Sequence, residues 1–231
     1  MMKKILIPTD GSANSLTALE YGIYIARKVE GSLMGLYVID VNLIQGPMLT
    51  DISGSVGMPP YDGFFEAIET SLNEKADFSL KFFLERCKKT RTNVEVKKMI
   101  GKISQIIIEE AQSADLILMA KKGEHFHLKE GGLLGSVAEA VVRNSGKPVM
   151  ITPENFLEIE SMGIAYDGSE PAKKALKLSL ELSEQNAWPL TAVVNSLDTQ
   201  KSVTLTNEIE NAAESFNADG ALIVLPGREA E

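Results

Sequence analysis

Apolar positions along the chain alternate between two spacings. Lys4–Ile7 is a short isoleucine and leucine run stopped by Pro8, Asp10 and Gly11, which reads as a strand buried on both faces. Leu16, Leu19, Ile23 and Ala26 then recur at helical spacing, with Ser12 or Ser15 as N-cap and Gly31 as terminator. Leu33–Asp40 is a second apolar run. Residues 42–62 read as a loop, broken by Gly46-Pro47, Gly54, Gly57 and Pro59-Pro60. A long helix with Phe65, Ile68, Leu72, Ala76, Phe83 and Cys87 on one face comes next, then the alternating run Val94–Met99. Ile103, Ile106, Ile107 and Ala111 mark a further helix, and Leu116–Ala120 a fourth strand. Lys121–Leu134 is a polar loop. Gly135-Ser136 opens a helix through Val137, Val141 and Val142, and Pro148–Ile151 is the fifth strand. Strand and helix alternate throughout, so the pattern predicts a doubly wound α/β fold with helices on both faces of a parallel sheet.

The rest of the chain repeats the start. At a shift of 157 residues, Ile7, Asp10-Gly11-Ser12, Ala18-Leu19 and Leu33 meet Ile164, Asp167-Gly168-Ser169, Ala175-Leu176 and Leu190. Ala114-Asp115 meets Ala218-Asp219 at a shift of only 104. On this reading the second copy lacks the long middle helix and the third strand, and its last strand, Leu222–Leu225, corresponds to the fourth. The expected domains are 1–154 and a truncated α/β pseudo-repeat at 155–231.

Composition narrows the function classes. The 231 residues carry a net charge of −9, against a general nucleic-acid binder. Residues 1–154 hold 18 Lys and Arg against 19 Asp and Glu, and residues 155–231 hold 5 against 13, so an anion is expected on the first part. One cysteine, Cys87, permits no intrachain disulfide and suits a reducing compartment. The apolar run after Lys3-Lys4 is too short for a signal peptide, and no run approaches a membrane span, so a cytoplasmic protein with no membrane partner is expected. Neither a P-loop nor a Gly-x-Ser-x-Gly elbow occurs. No catalytic residue is assigned, and a binding protein is expected rather than an enzyme.

Several segments resemble the universal stress protein domain. They are Ile5-Leu6-Ile7-Pro8-Thr9-Asp10-Gly11-Ser12, Tyr37-Val38-Ile39-Asp40, Ala114-Asp115-Leu116-Ile117-Leu118-Met119, Leu128-Lys129-Glu130 with Leu134-Gly135-Ser136-Val137, and Lys147-Pro148-Val149. The resemblance covers residues 3–153, and 162–225 as a degraded tandem copy. It implies a Rossmann-like five-stranded parallel sheet of order 3-2-1-4-5 and a stress-response role. Many members bind ATP or another adenine nucleotide, with or without Mg2+; some bind none. The binding members carry Gly, two residues, Gly, nine residues, then Gly-Ser or Gly-Thr. Here Ala120, Gly123 and Gly135-Ser136 stand at those places, with two more residues between the last glycines.

The resemblance implies that Asp10 faces base or ribose, that Pro8 and Thr9 line the slot, and that Val38 offers its backbone to the adenine edge. Met119, Ala120, Lys122, Gly123, Gly135, Ser136 and Val137 complete the implied site. Independently, the start of the helix at Gly135-Ser136 suits phosphate oxygens through its free N–H groups and positive dipole end. Ala120 fits if its φ is negative; at a glycine-type positive φ it would cost about 1 kcal/mol. Lys121 and Lys122 are either phosphate partners or a solvated pair. His125 and His127 would share one side of an extended segment, but no third ligand accompanies them and no metal is assigned. The resemblance further implies a homodimer through strand Pro148–Ile151. The rival readings are a nucleotide-free protein acting through protein contacts and a weak ATPase.

Overall fold

A computed structural model describes residues 3–45, 64–123, 134–194, 198–216 and 222–226. The chain divides into two compact units, Met2–Phe156 and Leu157–Glu231. The first contains β1 (Lys4–Pro8), α1 (Ala13–Lys28), β2 (Ser32–Asp40), α2 (Val41–Gln45) and α3 (Phe64–Lys89). It continues with β3 (Asn93–Gly101), α4 (Ile103–Glu110), a 3-10 turn at Ala111–Ser113, β4 (Leu116–Ala120), α5 (Ser136–Asn144) and β5 (Val149–Thr152). All five strands are parallel, in the order β3-β2-β1-β4-β5. Residues 42–45, expected in a loop, belong to the short helix α2, and β5 begins one residue after Pro148. Residues 46–63 and the side chain of Phe65 lie outside the described residues.

Strand parity builds the two cores. Ile5, Leu6 and Ile7 are fully buried, so β1 is covered on both faces, as its uninterrupted apolar run requires. On one face, Leu6, Met34 and Leu36 pack with Ile107 of α4 and with Ala138 and Val141 of α5. On the other, Tyr37 and Ile39 pack with Ala76 and Leu80 of α3. Each leucine, isoleucine, valine or methionine among them contributes about 1.5–3 kcal/mol through removal from water. At the outer edge, Lys97 and Lys98 of β3 pair with Glu110 at 2.6 Å and Asp77 at 2.7 Å. Charges of this kind discourage strand addition there.

The turn between β1 and α1 carries the repeat in its geometry. Gly11 adopts φ 79°, and the Ser12 N–H donates to Asp10 Oδ1 at 2.9 Å. Ser12, rather than Ser15, is the N-cap, accepting the Ser15 N–H on its Oγ at 3.2 Å. In the second unit Gly168 also has φ 79°, the Ser169 N–H donates to Asp167 Oδ1 at 2.9 Å, and Ser169 caps its helix.

Beyond that turn the second unit departs from the alignment of Ala218-Asp219, residues that lie outside those described. It consists of β6 (Met162–Tyr166), α6 (Glu170–Asn186), β7 (Leu190–Val194), α7 (Thr199–Glu214) and β8 (Leu222–Pro226), in a parallel sheet of order β6-β7-β8. The final strand lies beside β7, as β3 lies beside β2; a counterpart of β4 would lie beside β6. The helix and strand expected to be missing are therefore matched in position by α7 and β8. The reason is the apolar stripe Leu205, Ile209 and Ala213, which shares one core with Leu176 and Leu180 of α6. With both helices on one face, a right-handed crossover sets β8 outside β7. The opposite face keeps small residues: Gly163 and Ala165 are exposed, and Thr191 and Val193 half-buried.

Tyr166 stands where Thr9 stands in the first unit. It is buried, and its hydroxyl donates to Glu208 Oε2 of α7 at 2.8 Å. Burial, with that carboxylate, pushes the phenol from 10 up to about 12. A raised folded-state value gives stability that is fully present below the unfolded value and lost as pH rises from about 10 through about 12. Denaturation followed by the fluorescence of Trp188, the chain's one tryptophan and a buried residue of this unit, is expected to show that loss. Tyr166→Phe is expected to remove it; an identical alkaline profile in the variant would refute the assignment. A second prediction concerns Gly11, where a Cβ would run into Ser79 Oγ. Gly11→Ala is expected to destabilise the first unit by about 1–3 kcal/mol in a urea melt followed by circular dichroism.

Candidate functional site

The chain leaves β1 toward β2 on one side, while β4 lies on the other, and this divergence opens a cleft at the strands' C-terminal ends. It is about 360 Å³ in volume and lined by residues of β1, α1, β2, α2, α3, α4, β4 and α5. Its apolar walls are Leu36, Tyr37, Ile39, Leu72, Ile107 and Met119, all but Leu72 buried. The charged residues in the lining are Asp10, Asp40, Lys75 and Lys121.

Register supplies one polar feature of the cleft. The Thr9 N–H donates to the Leu36 carbonyl at 2.9 Å, so the polar groups of Leu36 face β1. Backbone groups two residues apart on a strand face the same way, so the N–H and C=O of Val38 turn toward the β1 side as well. There β1 has already ended at Pro8, opposite Leu36, while β2 runs on to Asp40 against β3. Val38 therefore presents a donor and an acceptor side by side to the cleft, and its side chain packs against the core that holds Met34, Leu36 and Ile107.

Across the cleft, α5 begins at Ser136 with Gly135 as N-cap in extended conformation, a residue with no side chain of its own to cap the helix. The Gly135 N–H donates to the Lys121 carbonyl at 3.0 Å, which ties the helix start to the segment leaving β4. Asp10 stands between the two halves. Its Oδ1 accepts the Ser12 N–H, and its Oδ2 lies 2.9 Å from where a Cβ on Gly123 would be. A side chain at 123 would push this carboxylate aside, which is a close-packing reason for glycine there.

Of the residues expected at the site, Pro8, Thr9, Asp10, Val38 and Met119 line the cleft. Ala120, Gly123, Gly135, Ser136 and Val137 do so as well. Lys122 does not. Its carbonyl accepts from Asn14 Nδ2 at 3.2 Å, neither residue lines the cleft, and Lys121 takes the lining position instead. Ala120 closes β4, and the described non-glycine residues with positive φ are Glu30, Arg91 and Ala187, so alanine carries no left-handed strain. Asp40, Lys75, Ser15 and Leu43 line the cleft in addition to the residues expected there. Asp40 ends β2, the position where such sheets place ligands, and was legible on that ground. Lys75 sits one turn before Ser79 on α3, and no pattern in the sequence marks it. His125 and His127 lie outside the described residues.

Residues 1–153 match the Universal stress protein family. A universal stress protein of Synechocystis is 28% identical over 184 residues, which are 76% of this chain and 64% of that protein, so the chain spans less than two thirds of its length. A universal stress protein of Methanocaldococcus jannaschii is 34% identical over 153 residues, 65% of this chain and 82% of that one. Among solved structures, a universal stress protein from Archaeoglobus fulgidus superposes with a TM-score of 0.73 at 24% identity, over 96% of this chain and 76% of its own; at that identity the likeness is one of fold. The match over residues 1–153 and the likeness of fold agree, and the chain belongs to the universal stress protein family.

Proposed function

We propose that the first unit binds one adenine nucleotide in this cleft and that the protein acts through that binding in a stress response. The observation that carries the reading is the Val38 donor–acceptor pair, which opens into an apolar slot opposite the start of α5. Adenine offers a donor at N6 and an acceptor at N1, which complement the Val38 carbonyl and N–H. Guanine offers the reverse polarity at its O6 and N1–H. The ribose lies by Asp10, and the phosphates lie at Gly123, Gly135 and Ser136 with Lys121 beside them. A volume of about 360 Å³ is in the range of small-molecule sites.

The role proposed is binding rather than turnover. Two lining carboxylates already accept from protein donors, Asp10 from the Ser12 N–H and Asp40 from the N–H and side-chain amide of Asn42, both at 2.9 Å. Mg2+ is accordingly proposed to arrive on the phosphates rather than to reside in the protein. The proposed partner protein is a second copy, paired along β5. That edge runs Val149, Met150, Ile151, Thr152 without a charge, whereas the β3 edge carries Lys97 and Lys98.

Calorimetry of the whole chain is expected to give one site, with GTP at least about tenfold weaker than ATP, because mispairing leaves buried polar groups unsatisfied. Gly135→Val is expected to abolish the phosphate-dependent part of the affinity, and Asp167→Ala to leave binding unchanged. Two sites per chain, or equal affinity for ATP and GTP, would overturn the assignment. No uptake of ATP, ADP or AMP would leave the nucleotide-free reading. For the dimer, light scattering is expected to give twice the chain mass of 25.1 kDa; the single-chain mass at high concentration would refute it.

A further inference from the structure

The segment leaving β4 is held at two successive carbonyls by donors from two different elements. The Lys121 carbonyl accepts from the Gly135 N–H at 3.0 Å, and the Lys122 carbonyl accepts from Asn14 Nδ2, in the first turn of α1, at 3.2 Å. A trans peptide is planar, and its C=O and N–H point in opposite directions. Fixing the Lys122 carbonyl toward Asn14 therefore aims the Gly123 N–H the other way. Gly123 lines the cleft, while Asn14 and Lys122 line a separate depression with Thr152, Pro153 and Glu154 that meets the cleft at Lys121. The opposite direction is thus the cleft side.

We propose that Asn14 is a positioning residue for the phosphate end of the cleft: its side-chain amide turns the 122–123 peptide so that the Gly123 N–H faces the phosphates. This rests on the nucleotide reading above. It also gives this chain a means of orienting the segment that does not depend on a glycine at position 120, where Ala120 is held in the β4 ladder opposite Thr152. Asn14 itself never touches the ligand. Its donor group matters, because a carbonyl at 122 can be fixed only by a donor; alanine or leucine at 14 removes that donor while keeping a residue that a helix accepts.

The test compares ATP with adenosine, which shares the base and ribose contacts and lacks the phosphates. In calorimetry, Asn14→Ala and Asn14→Leu are expected to weaken ATP by roughly tenfold to a hundredfold, the scale of one hydrogen bond to a charged group, with adenosine unchanged. Equal weakening of both ligands, or of neither, would overturn the proposal. The amide resonances of Lys122 and Gly123 in the ligand-free protein form a second readout. They are expected to shift in both variants, and unchanged resonances would overturn the role of Asn14 by themselves. A wild-type protein that binds neither ligand refutes the nucleotide reading instead, and the resonances then still decide whether Asn14 sets this peptide.

Discussion

The cleft exists because β1 is short. Pro8 closes the strand opposite Leu36, and Gly11, at φ 79°, turns the chain into α1 at once. β2 has no such stop and continues to Asp40 against β3. Four residues of β2 thus keep one ladder and lose the other, and the ladder they lose is on the side where β4 diverges. A buried backbone donor and acceptor left without a strand is costly unless something else meets them. The difference in length between two neighbouring strands therefore both makes the cavity and decides the chemistry at its floor. The sheet order, the two cores and the helix at the rim serve to hold that difference in place.

The two units show how much depends on the neighbours of an identical turn. Asp10-Gly11-Ser12 and Asp167-Gly168-Ser169 share backbone angle and hydrogen bonds. Thr9 spends its hydroxyl locally: it donates to Ser15 Oγ at 3.1 Å and accepts the Gly11 N–H at 3.3 Å, which leaves space above β1. Tyr166 instead reaches α7 and fills the space with its ring, and Leu205 presses against Gly168. The same turn borders a cleft in one unit and a packed core in the other. Two things differ: Tyr166 fills the space, and among the described strands of the second unit none stands at the place of β4.

What could be read from the amino acids depends on the range of the forces involved. The strands of the first unit were legible because burial on both faces imposes unbroken apolar runs such as Ile5-Leu6-Ile7. Their order was carried by the family resemblance and by the handedness of crossovers. The place of β8 was not legible: Ala218-Asp219 resembles Ala114-Asp115, yet the strand's neighbour is chosen by which face of the sheet α7 covers, and that is decided by packing with α6. At the site, residues next to a strand end, such as Asp10 and Val38, announce themselves. Lys75 belongs to the cleft only because α3 crosses β2 at one height. Lys121 lines the cleft, while the Lys122 carbonyl is held by Asn14 from more than a hundred residues away in the chain, a pairing that no local pattern announces.

Cys87 carries a consequence of a different kind. Its side chain is wholly buried on α3, and burial pushes the thiol up to about 11, so it is both inaccessible and un-ionised at neutral pH. Alkylating reagents attack thiolates, and here they must wait until α3 lifts from the sheet. The same helix supplies Leu72 and Lys75 to the cleft wall. As the chain has no other cysteine, the rate at which the native protein takes up a single alkyl group reports how often the C-terminal end of α3 opens, a probe built into the unmodified sequence.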